Sequence, residues 1–256
     1  MRIKLRKIKK LVVEFWVDLN DLFVNVNRKP VIIFGNAKSG TTIIAFLISK
    51  ALDKSYTADI VRAIPDASIA FKLEHSIFSV DDLVNKYKLE FSRDVIKEPA
   101  LSSYADEVIR YYPNGKFVFI MRDPRDNIRS ILNRLKIPGD LNTLNLDDWE
   151  EIKKTPAWRL ALDDSWKKNS LGGHYIEVMA KKWMRIYEQF SINQQRFVMV
   201  KYEDFCEDKV GSINHICKQL GGEVKSDISL LIDMQMQSKG NSHCDLLDFF
   251  GEENLL

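Results

Sequence analysis

The chain has 256 residues, 45% of them hydrophobic and 29% charged, and a formal net charge of +2. This length is enough for one α/β domain whose core needs no disulfide or metal. The near-neutral charge argues against the broad basic surface of a nucleic-acid-binding protein. The three cysteines and four histidines are isolated from one another along the chain, which disfavours a disulfide framework and a metal site.

The first 28 residues predict an amphipathic helix with a basic start. Apolar residues recur every three or four positions between Ile8 and Val26, the spacing of one apolar helix face. Acidic residues at Glu14, Asp18 and Asp21 interrupt this stretch, so it predicts neither a membrane-spanning helix nor, without a small-residue cleavage site, a signal peptide. The helix either packs on the domain, which we favour, or lies on an anionic membrane surface.

A strand, a glycine loop and a helix follow in residues 31–52. Apolar residues lead into a six-residue loop from Gly35 to Gly40, and a helical pattern starts directly after it. This order directs backbone N–H groups and the positive end of a helix at an anion. A nucleotide P-loop has the pattern G-x-x-x-x-G-K-[ST], but here Thr41 takes the lysine position and the cation is Lys38, inside the loop. The segment therefore predicts a phosphate-like ligand held differently from that of an ATPase.

The rest of the chain alternates strands and helices, which is typical of a parallel sheet with helices on both faces and a ligand at the carboxyl ends of the strands. The fold class is therefore α/β, a three-layer sandwich with a central, mostly parallel sheet, in a single domain spanning residues 1–256. Strands are predicted at residues 93–97, 116–121 and 196–200, and helices at residues 101–112, 176–190 and 213–220 and from Pro124, with Asp123 as N-cap.

Residues 137–172 interrupt this alternation and predict an insertion over the strand ends. The insertion is rich in proline and glycine and contains three of the five tryptophans, Trp149, Trp158 and Trp166. Aromatic side chains offer rigid contact area to a substrate, so the insertion fits a lid. It fits equally a helical excursion in which the tryptophans serve packing.

A second anion-binding pattern lies where a buried strand ends at Arg122 and a helix follows at once. Ser130 comes eight residues after Arg122, slightly more than two helical turns along, so both side chains can meet in one crevice and hold a phosphate. The same strand also fits a Walker B motif in which Asp123 holds Mg²⁺. We favour the phosphate site, because Asp123 also makes an ordinary helix N-cap and the first loop lacks the P-loop lysine.

Two anion sites at the ends of neighbouring strands suit a nucleotide with phosphates on both sides of its ribose. The segments AKSGTT and RDPRDNIRS resemble the 5′-phosphosulfate loop and the 3′-phosphate motif of sulfotransferases that use 3′-phosphoadenosine 5′-phosphosulfate (PAPS). FVMVKYEDF is similar to the strand and YED segment of that family, and FSRDVIKEP to its strand ending in Lys-x-Pro. The resemblance covers residues 30–135 and 176–220. The chain resembles soluble, bacterial members of the family, which bind the phosphosulfate with a P-loop-like strand–loop–helix.

The resemblance implies a role for each matching residue. Lys38 would contact the oxygen that bridges sulfate and phosphate, and Arg122 and Ser130 would hold the 3′-phosphate. Tyr202 would lie near the adenine or be structural. PAPS would be the donor co-substrate, with no metal. The remaining donor contacts would come from Ser39, Gly40, Thr41 and Thr42 at the 5′-phosphate and from a late loop containing Lys239 and Gly240.

The implied reaction is in-line transfer of a sulfuryl group to a hydroxyl or amine, which needs alignment and charge neutralisation at the leaving oxygen. Lys38 would supply that neutralisation, and Lys97 would stabilise the equatorial sulfuryl oxygens. An alcohol acceptor also needs a general base. Many cytosolic members of the family have a histidine just after the central lysine, where this chain has Glu98. Glu98 is therefore the predicted base, with Glu74 and His75 as rivals.

The expected partner is a small-molecule or saccharide acceptor, bound under the lid at residues 137–172, and no nucleic acid is expected. A glycolipid acceptor would fit a membrane-bound N-terminal helix. The resemblance implies an enzyme in the cytoplasm, at most peripheral to the inner face of the membrane. Two other hypotheses stay open: a P-loop phosphotransferase using ATP and Mg²⁺, which Thr41 disfavours, and a non-catalytic adaptor that keeps the nucleotide cradle.

Overall fold

The fold is built on one sheet of five strands. The computed structural model describes residues 20–64, 66, 68–170, 172–236 and 244–255. In these residues the strands pair in parallel, in the order β2-β3-β1-β4-β5, which confirms the predicted α/β class. The strands are β1 (Val31–Gly35), β2 (Tyr56–Thr57), β3 (Val95–Lys97), β4 (Lys116–Met121) and β5 (Phe197–Lys201).

Helices connect these strands and cover the sheet. The α-helices are α1 (Thr41–Ala51), α2 (Ser68–Glu74), α3 (Val80–Lys86), α4 (Lys88–Phe91), α5 (Ala105–Tyr111), α6 (Pro124–Leu135), α7 (Glu150–Lys154), α8 (Arg159–Leu162), α9 (Tyr175–Ile192), α10 (Tyr202–Glu207), α11 (Lys209–Gln219) and α12 (Leu246–Leu255). Short 3₁₀ turns occur at Pro99–Tyr104, Leu146–Asp148, Pro156–Trp158 and Gln194–Arg196.

The sheet separates two apolar layers, because successive residues of a strand point to opposite faces. Ile32 and Phe34 of β1 join a cluster with helices α2, α3, α5 and the end of α9. Ile33 joins the other cluster, with α1 and α11. The central strands are therefore apolar along their whole length, as expected for parallel strands covered on both faces. This arrangement is the predicted three-layer sandwich.

A third apolar cluster lies beside the sheet. It joins helix α6 to residues 137–162 and to helices α9 and α12, and its residues Leu132 and Ile152 are fully buried. The predicted insertion thus shares a core with the helix that follows β4.

The order of the strands in the sheet predicts where a ligand would bind. The chain builds β2 and β3 on one side of β1 and then crosses to build β4 and β5 on the other. In a doubly wound sheet, ligands bind at the carboxyl ends of the strands where this direction reverses. Ile33 is in register with Lys97, and Gly35 with Ile120. The residues that follow β1, β3 and β4 therefore meet at one edge.

Between residues 31 and 220, the predicted elements are confirmed with end shifts of at most four residues, with one exception. The predicted helix at residues 101–112 is a 3₁₀ turn followed by α5. Strand β2 and helices α2 to α4 were missed, because each is too short to show a repeating apolar pattern. One signal for α3 was available: Ser79 and Asp82 form a capping box, in which each side chain accepts the other's backbone N–H.

Residues 1–19, which carry most of the predicted N-terminal helix, lie outside the described residues. Residues 20–23 are helical and residues 24–28 are not, so the helix ends five residues before its predicted end. Among the helices that the structure does describe, none combines the length and the apolar character needed to cross a membrane.

We expect Gly35→Ala to destabilise the protein more than Gly172→Ala. Gly35 has φ 140°, and a Cβ there would lie 2.6 Å from the carbonyl oxygen of Ile120 in β4. Gly172 also has positive φ but nothing within 4 Å of such an atom, so its substitution carries only the backbone strain of about 1 kcal/mol. Chemical denaturation should show a loss above about 2 kcal/mol for Gly35→Ala. Equal losses would contradict the close packing of β1 on β4.

Candidate active site

The loop after β1 is held by one buried amide. Asn127, on helix α6, donates from Nδ2 to the Ala37 carbonyl at 2.8 Å and to Ser39 Oγ at 2.9 Å. Its Oδ1 accepts from Asn36 Nδ2 at 2.8 Å. Asn127 is fully buried, where an unmade hydrogen bond is costly. The bonds therefore fix the loop to the helix that follows β4.

The loop turns through left-handed backbone at two positions and then enters α1. Lys38 has φ 67° and Gly40 has φ 82°. A Cβ at Gly40 would overlap the ring of Tyr202, the first residue of α10. Because Gly40 has no side chain, the Tyr202 ring lies directly against its backbone. The first backbone N–H groups of α1, which have no partner within the helix, lie beside the cavity.

Arg122 follows β4 and joins the second predicted anion site to the first. Its Nη1 donates to the Lys38 carbonyl at 2.6 Å, and its guanidinium lies 4.7 Å from the centroid of the Tyr202 ring. Its Nε is buried and has no hydrogen-bond partner in the described part of the chain. A buried cationic donor left in this state is costly, so the site fits an anion. Ser130 lines the same cavity.

Lys38 lies in a positive field. Burial lowers the pKa of its ammonium, and the charges of Arg134, Arg122 and Lys97 lower it further. Like charges gathered in a partly desolvated site destabilise one another unless an anion compensates them. The loop residues Lys38, Gly40, Thr41 and Thr42 line the cavity. Ser39 is 1% exposed, and its hydroxyl takes part in the Asn127 network.

Lys97 and Glu98 at the end of β3 are both engaged. Lys97 is 3% exposed and its Nζ lies 2.7 Å from Asp59 Oδ1. The two Glu98 carboxylate oxygens accept from the backbone N–H groups of Ile60 and Ala100, at 2.9 and 3.0 Å. Burial nevertheless raises the pKa of Glu98. Lys97, Glu98 and Asp59 all line the cavity.

The rival bases differ in their surroundings. Glu74 lines the cavity and is bound by both terminal nitrogens of Arg185, at 3.2 and 2.9 Å. Burial acts to raise the pKa of Glu74, but the hydrogen bonds and charge of Arg185 outweigh it, and the pKa lies below its usual value. His75 Nε2 lies 3.0 Å from the Trp166 carbonyl oxygen.

These residues surround one cavity of about 1200 Å³. Of the tryptophans in residues 137–172, Trp158 and Trp166 line it, and Trp149 and Trp158 pack against the third apolar cluster. The volume exceeds the roughly 300–1,000 Å³ of ordinary ligand sites, which leaves room for two molecules.

Asp123 does not resemble a metal ligand. Its carboxylate caps α6 by accepting from the Arg125 N–H at 2.9 Å, and it pairs with the Arg125 guanidinium at 2.8 Å. Across the described residues, no group of three or more His, Cys, Asp or Glu is placed to hold a metal ion.

The late loop with Lys239 and Gly240 lies outside the described residues. Its described flanks are both at the site. Met236 lines the cavity, and the Cys244 carbonyl accepts from Arg129 Nη1 at 3.0 Å. Arg129, one residue before Ser130, also lines the cavity.

Sequence reasoning missed several residues of this cavity. Asp59 follows the two-residue strand β2, which gave no pattern to read. Arg134 lies four residues after Ser130, and this helical spacing was a usable signal for a shared face. Asn127 lies within the quoted RDPRDNIRS segment, but nothing in the sequence showed that its amide would bind the loop.

The sequence from residue 68 to residue 226 matches the model of the sulfotransferase family. The chain belongs to this family. It is therefore a sulfotransferase, which confirms the family assignment made from the two phosphate motifs. The matched region contains Arg122, Ser130 and the tryptophan-rich insertion, while the loop at Lys38 precedes it.

Several solved structures are similar to this sulfotransferase at low sequence identity. The sulfotransferase from Alicyclobacillus acidocaldarius is 19% identical, with 83% of this chain and 87% of that chain covered and a TM-score of 0.45. The STF1 sulfotransferase from Mycobacterium tuberculosis is 13% identical, with coverages of 83% and 72% and a TM-score of 0.49. Mouse SULT7A1 complexed with PAP is 14% identical, with coverages of 84% and 67% and a TM-score of 0.45. No curated protein sequence matches the chain.

We expect Asn127→Ala to destabilise the sulfotransferase and loosen its loop. The substitution leaves the buried groups of Asn36 and Ser39 without their partner, at a cost of about 1–3 kcal/mol. Asn133→Ala, on the same helix but without a comparable network, is the control. Thermal unfolding of both variants checks the expectation. Equal melting temperatures for Asn127→Ala and the wild type would show that the loop does not depend on this amide.

Proposed function

We propose that the sulfotransferase uses PAPS as its donor, with the 5′-phosphosulfate on the loop after β1 and the 3′-phosphate beside Arg122. The observation that carries this is the buried, unpartnered Nε of Arg122, held next to the Lys38 backbone at the ends of two neighbouring strands. A donor with phosphates on both sides of its ribose would place one anion at each of these two strand ends.

The donor contacts follow from this placement. Lys38, Gly40, Thr41 and Thr42 bind the 5′-phosphosulfate, and Ser39 contributes through the shape of the loop. The 3′-phosphate is bound by Arg122 and Ser130. Tyr202 supports both groups, since its ring lies against Gly40 and Arg122, and its free face borders the adenine. We also assign donor contacts to Lys239 and Gly240, as the resemblance implies.

Catalysis consists of alignment and charge compensation. The acceptor oxygen or nitrogen forms a bond to sulfur while the bond from sulfur to the bridging oxygen breaks, and Lys38 stabilises the negative charge left on that oxygen. Lys97 stabilises the sulfuryl oxygens, and Asp59 holds its ammonium in position. Glu98 takes the acceptor proton; its raised pKa brings it nearer to the operating pH than an ordinary carboxylate.

The acceptor is a hydroxyl or amine of a small molecule, a carbohydrate or a glycolipid. It binds in the part of the cavity that Trp158 and Trp166 line, under the insertion at residues 137–172. The chain works as one domain over residues 1–256.

We expect PAP, adenosine 3′,5′-bisphosphate, to raise the melting temperature of the wild type strongly. A ligand at 100 times its dissociation constant adds about 2.7 kcal/mol to the folded state. Arg122→Ala should weaken PAP binding tenfold or more, since a charge-assisted hydrogen bond contributes about 1.5–3 kcal/mol, and Ser130→Ala should weaken it less.

Arg125→Ala is the matched control, because Arg125 is exposed and pairs with Asp123. It should leave PAP binding unchanged. A larger shift with ATP and Mg²⁺ than with PAP would contradict the proposed donor and favour the phosphotransferase.

We expect Lys38→Ala to lower kcat by about 10²–10³, the usual effect of removing one oxyanion-stabilising group. Transfer of radiolabelled sulfate from PAPS to a panel of phenols, alcohols, amines and saccharides measures it. The exposed Lys50, on α1, gives the control variant Lys50→Ala. Glu98→Gln should also lower kcat with alcohol acceptors. Unchanged kcat in Glu98→Gln would show that Glu98 is not the base.

A further inference from the structure

One peptide group beside the site is bound by two side chains. It joins Arg122 to Asp123, directly after β4. Its carbonyl oxygen, that of Arg122, accepts from Trp183 Nε1 at 3.2 Å. Its N–H, that of Asp123, donates to Glu203 Oε1 at 3.0 Å. Trp183 lies in α9 and Glu203 in α10, so side chains from two different helices fix both polar atoms of this peptide.

The register of the sheet explains why this peptide takes side-chain partners. Met121, the last residue of β4, is in register with Lys201, the last residue of β5. The pairing of β4 ends there, so the peptide after Arg122 has no neighbouring strand to bond to, although its polar groups still need partners. Glu203 comes two residues after Lys201 and therefore lies at the same edge of the sheet.

The local partner for the Asp123 N–H is engaged elsewhere. Asp123 is the N-cap of α6, and in a capping box the side chain three residues further on accepts from the N–H of the N-cap. Here that residue is Asp126, whose Oδ1 pairs with Arg129 Nη2 at 2.7 Å. Glu203 accepts from the Asp123 N–H, so a contact between two helices replaces a contact within one.

Trp183 is held in place for its hydrogen bond. Its ring stacks on that of Tyr187, one turn further along α9, with centroids 5.6 Å apart and an angle of 12° between the planes. It borders a small cavity of about 10 Å³ together with Asn36 and Ser39 of the loop after β1. Among the described residues that line the large cavity, neither Trp183 nor Glu203 occurs. Both reach the peptide from outside the ligand cavity.

Arg122 is thus held at its backbone as well as at its guanidinium. Nη1 donates to the Lys38 carbonyl at 2.6 Å, and the guanidinium lies 4.7 Å from the centroid of the Tyr202 ring. The buried Nε, which has no partner in the described part of the chain, therefore keeps one direction. A donor group fixed before the ligand arrives loses less conformational freedom on binding, which favours affinity.

We propose that Trp183 and Glu203 are positioning residues for the 3′-phosphate of the donor. They fix the peptide after Arg122, and with it the direction of the guanidinium, without touching the ligand. They therefore set how strongly the enzyme distinguishes nucleotides that carry a 3′-phosphate from those that lack it. This inference rests on the proposed placement of the 3′-phosphate beside Arg122.

The test compares the binding of PAP with that of adenosine 5′-monophosphate (AMP), which lacks the 3′-phosphate. Both dissociation constants are measured by calorimetry for each variant. Trp183→Phe keeps an aromatic ring but removes the donor N–H, and Glu203→Ala removes the acceptor. Each should lower the preference for PAP about three- to tenfold, the effect of one lost hydrogen bond. AMP should bind as it does to the wild type, which also shows that the variants are folded.

Charge alone predicts the opposite result at Glu203. Removing a carboxylate near a bound phosphate should strengthen the binding of an anion, whereas loss of positioning should weaken it. Glu203→Gln separates the two effects, because its amide oxygen can still accept from the Asp123 N–H. This variant should keep the wild-type preference for PAP or exceed it. A raised preference in Glu203→Ala would overturn the positioning role.

An effect that acts through Arg122 must vanish when this arginine is absent. In an Arg122→Ala background, Trp183→Phe and Glu203→Ala should change the preference no further. The matched controls are Trp149→Phe, at a tryptophan that packs against the third apolar cluster, and Glu207→Ala, at an exposed carboxylate of α10. Both should keep the preference. Equal losses in these controls, or additive losses in the double variants, would contradict the proposal.

The two proposals fail in different ways. A wild type that binds PAP no more tightly than AMP would contradict the placement of the 3′-phosphate, and the donor assignment and the positioning role would fall together. A preference for PAP that is lost in Arg122→Ala but kept in Trp183→Phe and Glu203→Ala would overturn the positioning role alone.

Discussion

The site depends on the hydrogen bonds of one buried amide, that of Asn127. The loop after β1 turns away from the sheet, so its polar groups cannot bond to a neighbouring strand. Asn127 satisfies them from a helix that starts directly after β4. Because the same helix carries Ser130 and Arg134, this contact also fixes the distance between the two anion-binding regions. A single side chain thus holds the residues after two neighbouring strands in one site.

Charge is the second constraint on this fold. Several cations surround Lys38, and Lys167 and Lys182 line the same cavity. Neutral surroundings would not support this density, since each ammonium is partly desolvated and repelled by its neighbours. Carboxylates offset some of it, with Asp59 on Lys97 and Glu74 on Arg185. The positive charge that remains favours the binding of anions.

The sequence predicted the parts of the site that are local in the chain. The strand–loop–helix around Lys38 and the Arg122–Ser130 pair each lie within one short segment, and the apolar strands set the sheet. The contacts between segments that are distant in the chain were not predicted. Asp59 meets Lys97 across 38 residues, and Arg185 binds Glu74 across 111 residues. No local spacing encodes such contacts, because they depend on how the short elements between residues 53 and 92 and the insertion pack against the sheet.

The contact between Gly40 and Tyr202 has an evolutionary consequence. The Tyr202 ring occupies the space of the side chain that position 40 lacks, and the Arg122 guanidinium lies on the same ring. Any larger residue at position 40 displaces the ring and, with it, the surface that supports the arginine. Loss of the ring would open space at position 40 but leave the arginine unsupported. The three positions, from three distant parts of the chain, therefore cannot drift independently, and selection acts on them as one unit.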